Sequence, residues 1–103
     1  MKKLKLKIID AIIAKLRKGW TQCASAKNAS GECVPPESEG AVCWCAIGAA
    51  AAVAHDTGLV VDVWGWFENR GRTINLNDWH WKSADDAVSY FEERRRLVER
   101  GIV

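Results

Sequence analysis

The chain has 103 residues, 49% hydrophobic and 27% charged, which are the proportions of a globular protein rather than a disordered or fibrous one. That length supports one domain, 1–103, around one thin core. A net charge of +2 is too small to indicate a polyanion or a membrane surface as partner; six tryptophans against two phenylalanines and one tyrosine are the compositional oddity.

Leu4, Ile8, Ile12 and Leu16 recur every four residues, flanked by Ile9 and Ile13, with Lys3, Lys7, Asp10, Arg17 and Lys18 opposite. The pattern predicts an amphipathic, core-facing helix over 3–18, ended by Gly19. Asp10 and Lys15 interrupt the apolar stretch behind the lysine-rich start, and no small-residue cleavage site follows. Neither an export signal nor a membrane span is therefore expected, and the location is read as cytoplasmic.

Beyond Trp20 the helical period is lost. Asn28-Ala29-Ser30-Gly31 carries turn chemistry, since Asn and Gly tolerate positive φ. With short runs on either side, it predicts a β-hairpin near 21–34, closed by Pro35-Pro36. A second helix is expected over 39–55, through Val42, Trp44, Ile47 and Ala51. Its alanines and Gly48 permit close approach of neighbours, which suits a central helix. In a third helix, 59–70, Leu59, Val60, Val63, Trp64, Trp66 and Phe67 share one arc, although the β-branched residues also suit a strand. The stretch 74–78 reads as extended or turn. Ser83 and Asp86 form an S-x-x-D cap for a last helix, 83–100, with Ala84, Ala87, Val88, Phe91 and Val98 inward. Arg95 falls on that inner face, and is expected to snorkel to water, with Asp78 as its alternative partner. The fold class is mainly α, α+β at most: a small bundle of about four helices around the Ala-rich one, with a short hairpin.

Cys23, Cys33, Cys43 and Cys45 follow a C-x9-C-x9-C-x-C spacing. Zinc knuckles use closer pairs, and Cys43 and Cys45 would point about 200° apart on a helix. Reduced, buried thiols are the expectation; a zinc site on these four residues, or a Cys23–Cys33 bridge, is the alternative. No cofactor is expected. A thiol nucleophile would need Cys23 or Cys33 to reach His80, with Asn77 or Asp78 orienting the imidazole. The chain has no serine elbow, phosphate loop, zinc-protease helix or dinucleotide fingerprint. Catalysis is not expected, and Asn77-Asp78 reads as a turn whose side chains bond their own backbone.

The binding candidates are Trp66, Arg70, Arg72, Trp79, His80 and Trp81, because Trp and Arg supply large contact area and dominate interface energetics. Trp20, Trp44 and Trp64 fall on inner arcs and are assigned to the core. The first eighteen residues hold seven Lys/Arg and one Asp, whereas 19–69 hold one Lys and six acids. This split suits a protein partner, or self-association, better than nucleic acid. A small ligand or nucleotide held by Trp stacking and Arg is the alternative.

Three signatures stand in order: Gly19-Trp20-Thr21-Gln22 after the first helix, Trp44-Cys45-Ala46-Ile47-Gly48-Ala49, and Asn77-Asp78 before the final helix starting at Ser83. Together they resemble a family of small bacterial and bacteriophage domains of unknown function, with G-W-x-Q, W-C-x-x-G-A and N-D motifs. The similarity runs over most of the chain, roughly 4–98. Leu76 stands where an aromatic residue often precedes Asn-Asp, and Ser83 stands for Thr. The resemblance implies a mostly helical fold, a cytosolic prokaryotic or phage setting, and structural roles for Trp44, Cys45 and Gly48; Trp20, by its inner arc, and Asn77 and Asp78, by their turn chemistry, are read as structural too. It carries no activity. The candidate function is a non-catalytic protein that binds another macromolecule, expected to be a host protein if the source is a phage.

Overall fold

The computed structural model describes residues 2–58 and 70–102. Helix α1 (Lys2–Lys18) buries Ile8, Ile9, Ile12 and Leu16 and exposes most of its lysines. Strand β1 (Ala26–Asn28) pairs antiparallel with β2 (Ala41–Trp44), in the register Ala26↔Trp44 and Lys27↔Cys43. Helix α2 (Ala46–Thr57), helix α3 (Arg70–Asn75), a π-helical turn (Leu76–His80) and helix α4 (Ala84–Glu99) follow. The architecture is mainly α with a small β element.

The helix α1 packs against α4, α2 and β2, so its isoleucine stripe is shared among several elements. Across from it lie Val88, Phe91 and Val98 of α4 and Ala49, Ala50 and Val53 of α2, all buried. The Ala-rich helix is buried through its first half, as its small side chains allow. Among the described residues no helix is long and apolar enough to cross a membrane.

Several boundaries differ from those the sequence predicts. The second helix starts at Ala46 rather than near residue 39, because Ala41–Trp44 is a strand that pairs antiparallel with β1. The predicted turn is present: Asn28 Oδ1 accepts from the backbone N–H groups of Ser30 and Glu32, and Gly31 takes φ +81°. Its far arm is reduced to one bridge, Lys27↔Cys33, since Pro35-Pro36 leaves it only three residues, and β1 takes β2 as its main partner. The stretch 74–78 is helical, not extended. Its Asn and Asp residues hide the helical period. The last helix starts at Ala84 without a side-chain bond from Ser83; Asp86 instead accepts from the Lys82 N–H at 2.7 Å. Arg95 joins neither solvent alone nor Asp78: it bonds Asp10 of α1 at 2.8 Å and its own-helix neighbour Glu99. Lys15 likewise bridges from α1 to Asp56 at 3.4 Å and lies over the Trp44 ring. The third predicted helix, with Trp64 and Trp66, falls outside the described residues.

Candidate functional site

The three sequence signatures meet in space. Asn77, only 1% exposed, uses its whole amide. Its Oδ1 accepts from the Trp20 indole N–H at 2.9 Å and from the Ala46 backbone N–H at 3.0 Å. Its Nδ2 donates to the Thr21 carbonyl at 3.1 Å and to Asp78 Oδ1 at 3.0 Å. Two donors and two acceptors saturate a primary amide. One side chain thus ties the loop after α1, the start of α2 and the π-helical turn together.

Gln22 completes the junction from the other side. Its Nε2 donates to the carbonyls of Asn77 and Trp81, each at 3.0 Å, satisfying oxygens that the end of a helix leaves free. Asp78 Oδ1 also accepts from the Cys23 N–H at 2.8 Å, holding Cys23 at φ +60°, a left-handed conformation that few non-glycine residues adopt.

Cys45 is the N-cap of α2. Its Sγ accepts from the Gly48 N–H at 3.2 Å, filling the position more often held by Ser, Thr or Asp. Burial pushes its thiol above the ordinary value, and the nearby Asp78 carboxylate adds to that rise against the helix N–H groups. Cys45 is therefore a protonated capping group at neutral pH rather than a nucleophile. Because the folded chain holds this proton to higher pH than the unfolded chain does, its contribution to stability is complete at neutral pH and is lost as the pH rises through the thiol range. With an aromatic disulfide reagent at neutral pH, the exposed Cys23 and Cys33 are expected to react at once, whereas Cys45 reacts only at the rate of unfolding. Four equally fast thiols would contradict the capping role.

All four cysteines are free, and among the described residues no group of three His, Cys, Asp or Glu side chains could hold a metal ion. No hydrogen bond joins a thiol to either histidine there: Cys43 reaches only the Lys27 carbonyl, and His55 lies beside Asp56.

The tryptophans separate by environment. Trp44 is buried, with its N–H on the Pro36 carbonyl. Trp20 is half-buried over Asn77. Trp81 is half-buried too, with its ring 5.4 Å from Tyr90 and packed on the core. Trp79 is 76% exposed, and His80 beside it is exposed. Trp66 lies outside the described residues; Arg70 and Arg72 lie in α3, which leads into the same turn. Neither composition nor periodicity marks Gln22 or the cap of α2 as junction residues; the G-W-x-Q pattern is the local sign of the first and the W-C-x-x-G-A pattern of the second.

Next to the junction is a cleft of about 210 Å³ lined by Ala24, Cys45, Ile47, Ile74, Asn77 and Asp78. Comparison with protein-family models, with curated proteins and with solved structures finds no match.

Proposed function

We propose that this protein is a non-catalytic binding module, working in a prokaryotic or phage-infected cytoplasm, whose partner is a protein and whose contact is centred on Trp79. The observation that carries this reading is the 76% exposure of Trp79 on a turn anchored from beneath by the saturated Asn77 amide. A rigidly mounted aromatic offers contact area at little entropy cost, which is why tryptophan leads among interface hot spots. The exposed lysines Lys2, Lys3 and Lys7 at the start of α1 add long-range steering.

The Trp79 side chain makes no hydrogen bond or ring contact among the described residues, so Trp79→Ala should leave the melting temperature unchanged. A partner captured by the wild-type chain and identified by mass spectrometry should bind the purified variant at least about 30-fold more weakly, the equivalent of about 2 kcal/mol for a hot-spot aromatic. Equal affinity for the folded variant would remove Trp79 from the interface. The nucleotide reading is disfavoured by Trp81, whose half-buried ring packs against Tyr90 and the core rather than standing free beside Trp79.

A further inference from the structure

The cleft lined by Asp78, the residue before Trp79 in sequence, contains an unbalanced charge. Asp78 is half-buried and lines it. Its Oδ1 is committed to the Cys23 N–H and to Asn77 Nδ2, while its Oδ2 accepts no hydrogen bond and meets no cation among the described residues. Ile47 and Ile74, one buried and the other 41% exposed, provide apolar walls, and the buried Cys45 thiol is uncharged at neutral pH. A carboxylate fixed by two donors, with one oxygen unused in a largely apolar cleft, is complementary to a long side chain that is apolar along its stem and cationic at its tip. Its volume of about 210 Å³ has room for one such side chain.

We propose that the cleft formed by Asp78, Ile47 and Ile74 receives a single arginine or lysine side chain of the protein partner. This rests on the reading of Trp79 as the contact centre and adds the chemistry of the partner: a basic residue placed beside whatever covers the indole. Arginine fits better, since its planar fork can reach Oδ2 while its stem lies along the isoleucines.

The test uses the full chain and three probes, the N-acetyl methylamides of arginine, norleucine and glutamate, titrated while backbone amide shifts are followed by NMR. Arginine should shift the Ala24, Ser25, Ile74 and Asp78 amides saturably, with norleucine and glutamate at least tenfold weaker and the arginine response falling as salt rises. Asp78→Asn keeps an oxygen for the Cys23 and Asn77 donors but removes the charge, and should reduce arginine affinity at least tenfold in a chain with an unchanged spectrum. Ile74→Arg is a second variant at an exposed position, independent of the Asp78 bonds, and should abolish entry by filling the cleft with its own cation. Equal binding of norleucine, undiminished arginine binding by folded D78N or I74R, or no saturable shift would overturn the proposal. Trp79→Ala should still take up the arginine probe. If that variant loses its partner while the cleft ignores arginine, the Trp79 reading stands and the cleft assignment falls. If it keeps its partner while the cleft binds arginine, the cleft assignment stands and Trp79 leaves the interface. Self-association that D78N abolishes would assign the cleft to a lysine or arginine of a second copy, and overturn its assignment to a foreign partner.

Discussion

Asn77→Ala is expected to lower folding stability by about 4 kcal/mol, read as a fall in the urea midpoint with an unchanged slope. The substitution removes little volume but leaves the Trp20 indole N–H, the Ala46 N–H and the Thr21 carbonyl without the partners that Asn77 now supplies. Each buried polar group stranded in this way costs about 1–3 kcal/mol, well beyond the net worth of the bond itself. The Ala46 N–H is also an orphan donor of the first turn of α2, so the helix start loosens with it. Asn77→Asp gives the more discriminating result. The new carboxylate can still accept from Trp20 and Ala46, but its other oxygen faces the Thr21 carbonyl and Asp78 Oδ1, two acceptors. Protonation there would restore a donor, so the folded variant holds a proton to higher pH than the unfolded chain, whose aspartate titrates near about 3.9. The variant should therefore be closest to wild type in acid and should lose ground as the pH rises through and above that value. A stability difference independent of pH would refute the donor role assigned to Nδ2.

This junction also marks how far the sequence could be read. The α1 stripe of Ile8, Ile12 and Leu16 is visible because burial on one side of a helix repeats with the helical period, and the Phe91 face of α4 is visible for the same reason. The Asn28–Gly31 turn shows itself through residues that suit positive φ. The junction obeys no period. Trp20 and Ala46 are linked to Asn77, and Gln22 to Trp81, by bonds spanning 31 to 59 residues, and a tertiary hydrogen bond leaves no local trace in composition. The same bonds explain why 76–80 is helical: Gln22 takes up the turn's carbonyls, and the Trp81 N–H closes the π turn onto the Leu76 carbonyl at 2.8 Å, overriding weak local propensity. The split among the tryptophans, with Trp44 buried and Trp79 exposed, depends equally on that turn. Only the ordered recurrence of the three short signatures hinted that their residues belong together.

Gly48→Ala should cost about 3 kcal/mol or more, at the upper end of what overpacking exacts, although the same exchange in an open helix gains about 1 kcal/mol from propensity. A Cβ on Gly48 would stand 1.8 Å from the Ser25 carbonyl oxygen and 2.7 Å from its carbon, so backbone rather than a flexible side chain must give way. Retreat is obstructed, because the Ser25 carbonyl accepts the Cys45 N–H at 3.1 Å and the next residue, Ala26, is fully buried. Moving α2 away would instead stretch the Ala46–Asn77 bond and lift Cys45 from its capping position. The damage would thus spread from a steric contact into the hydrogen-bonded junction, and G48A combined with N77A should be less destabilising than the two costs added together. Gly40→Ala provides the control: the nearest atom to its added Cβ is Ser38 Oγ at 3.8 Å, and a gain of about 0.5 kcal/mol is expected from the stiffer unfolded chain. Urea denaturation of the two single variants decides the matter. If G48A unfolds at the same midpoint as G40A, the close approach of α2 to β1 is not what holds the start of α2 against the strand.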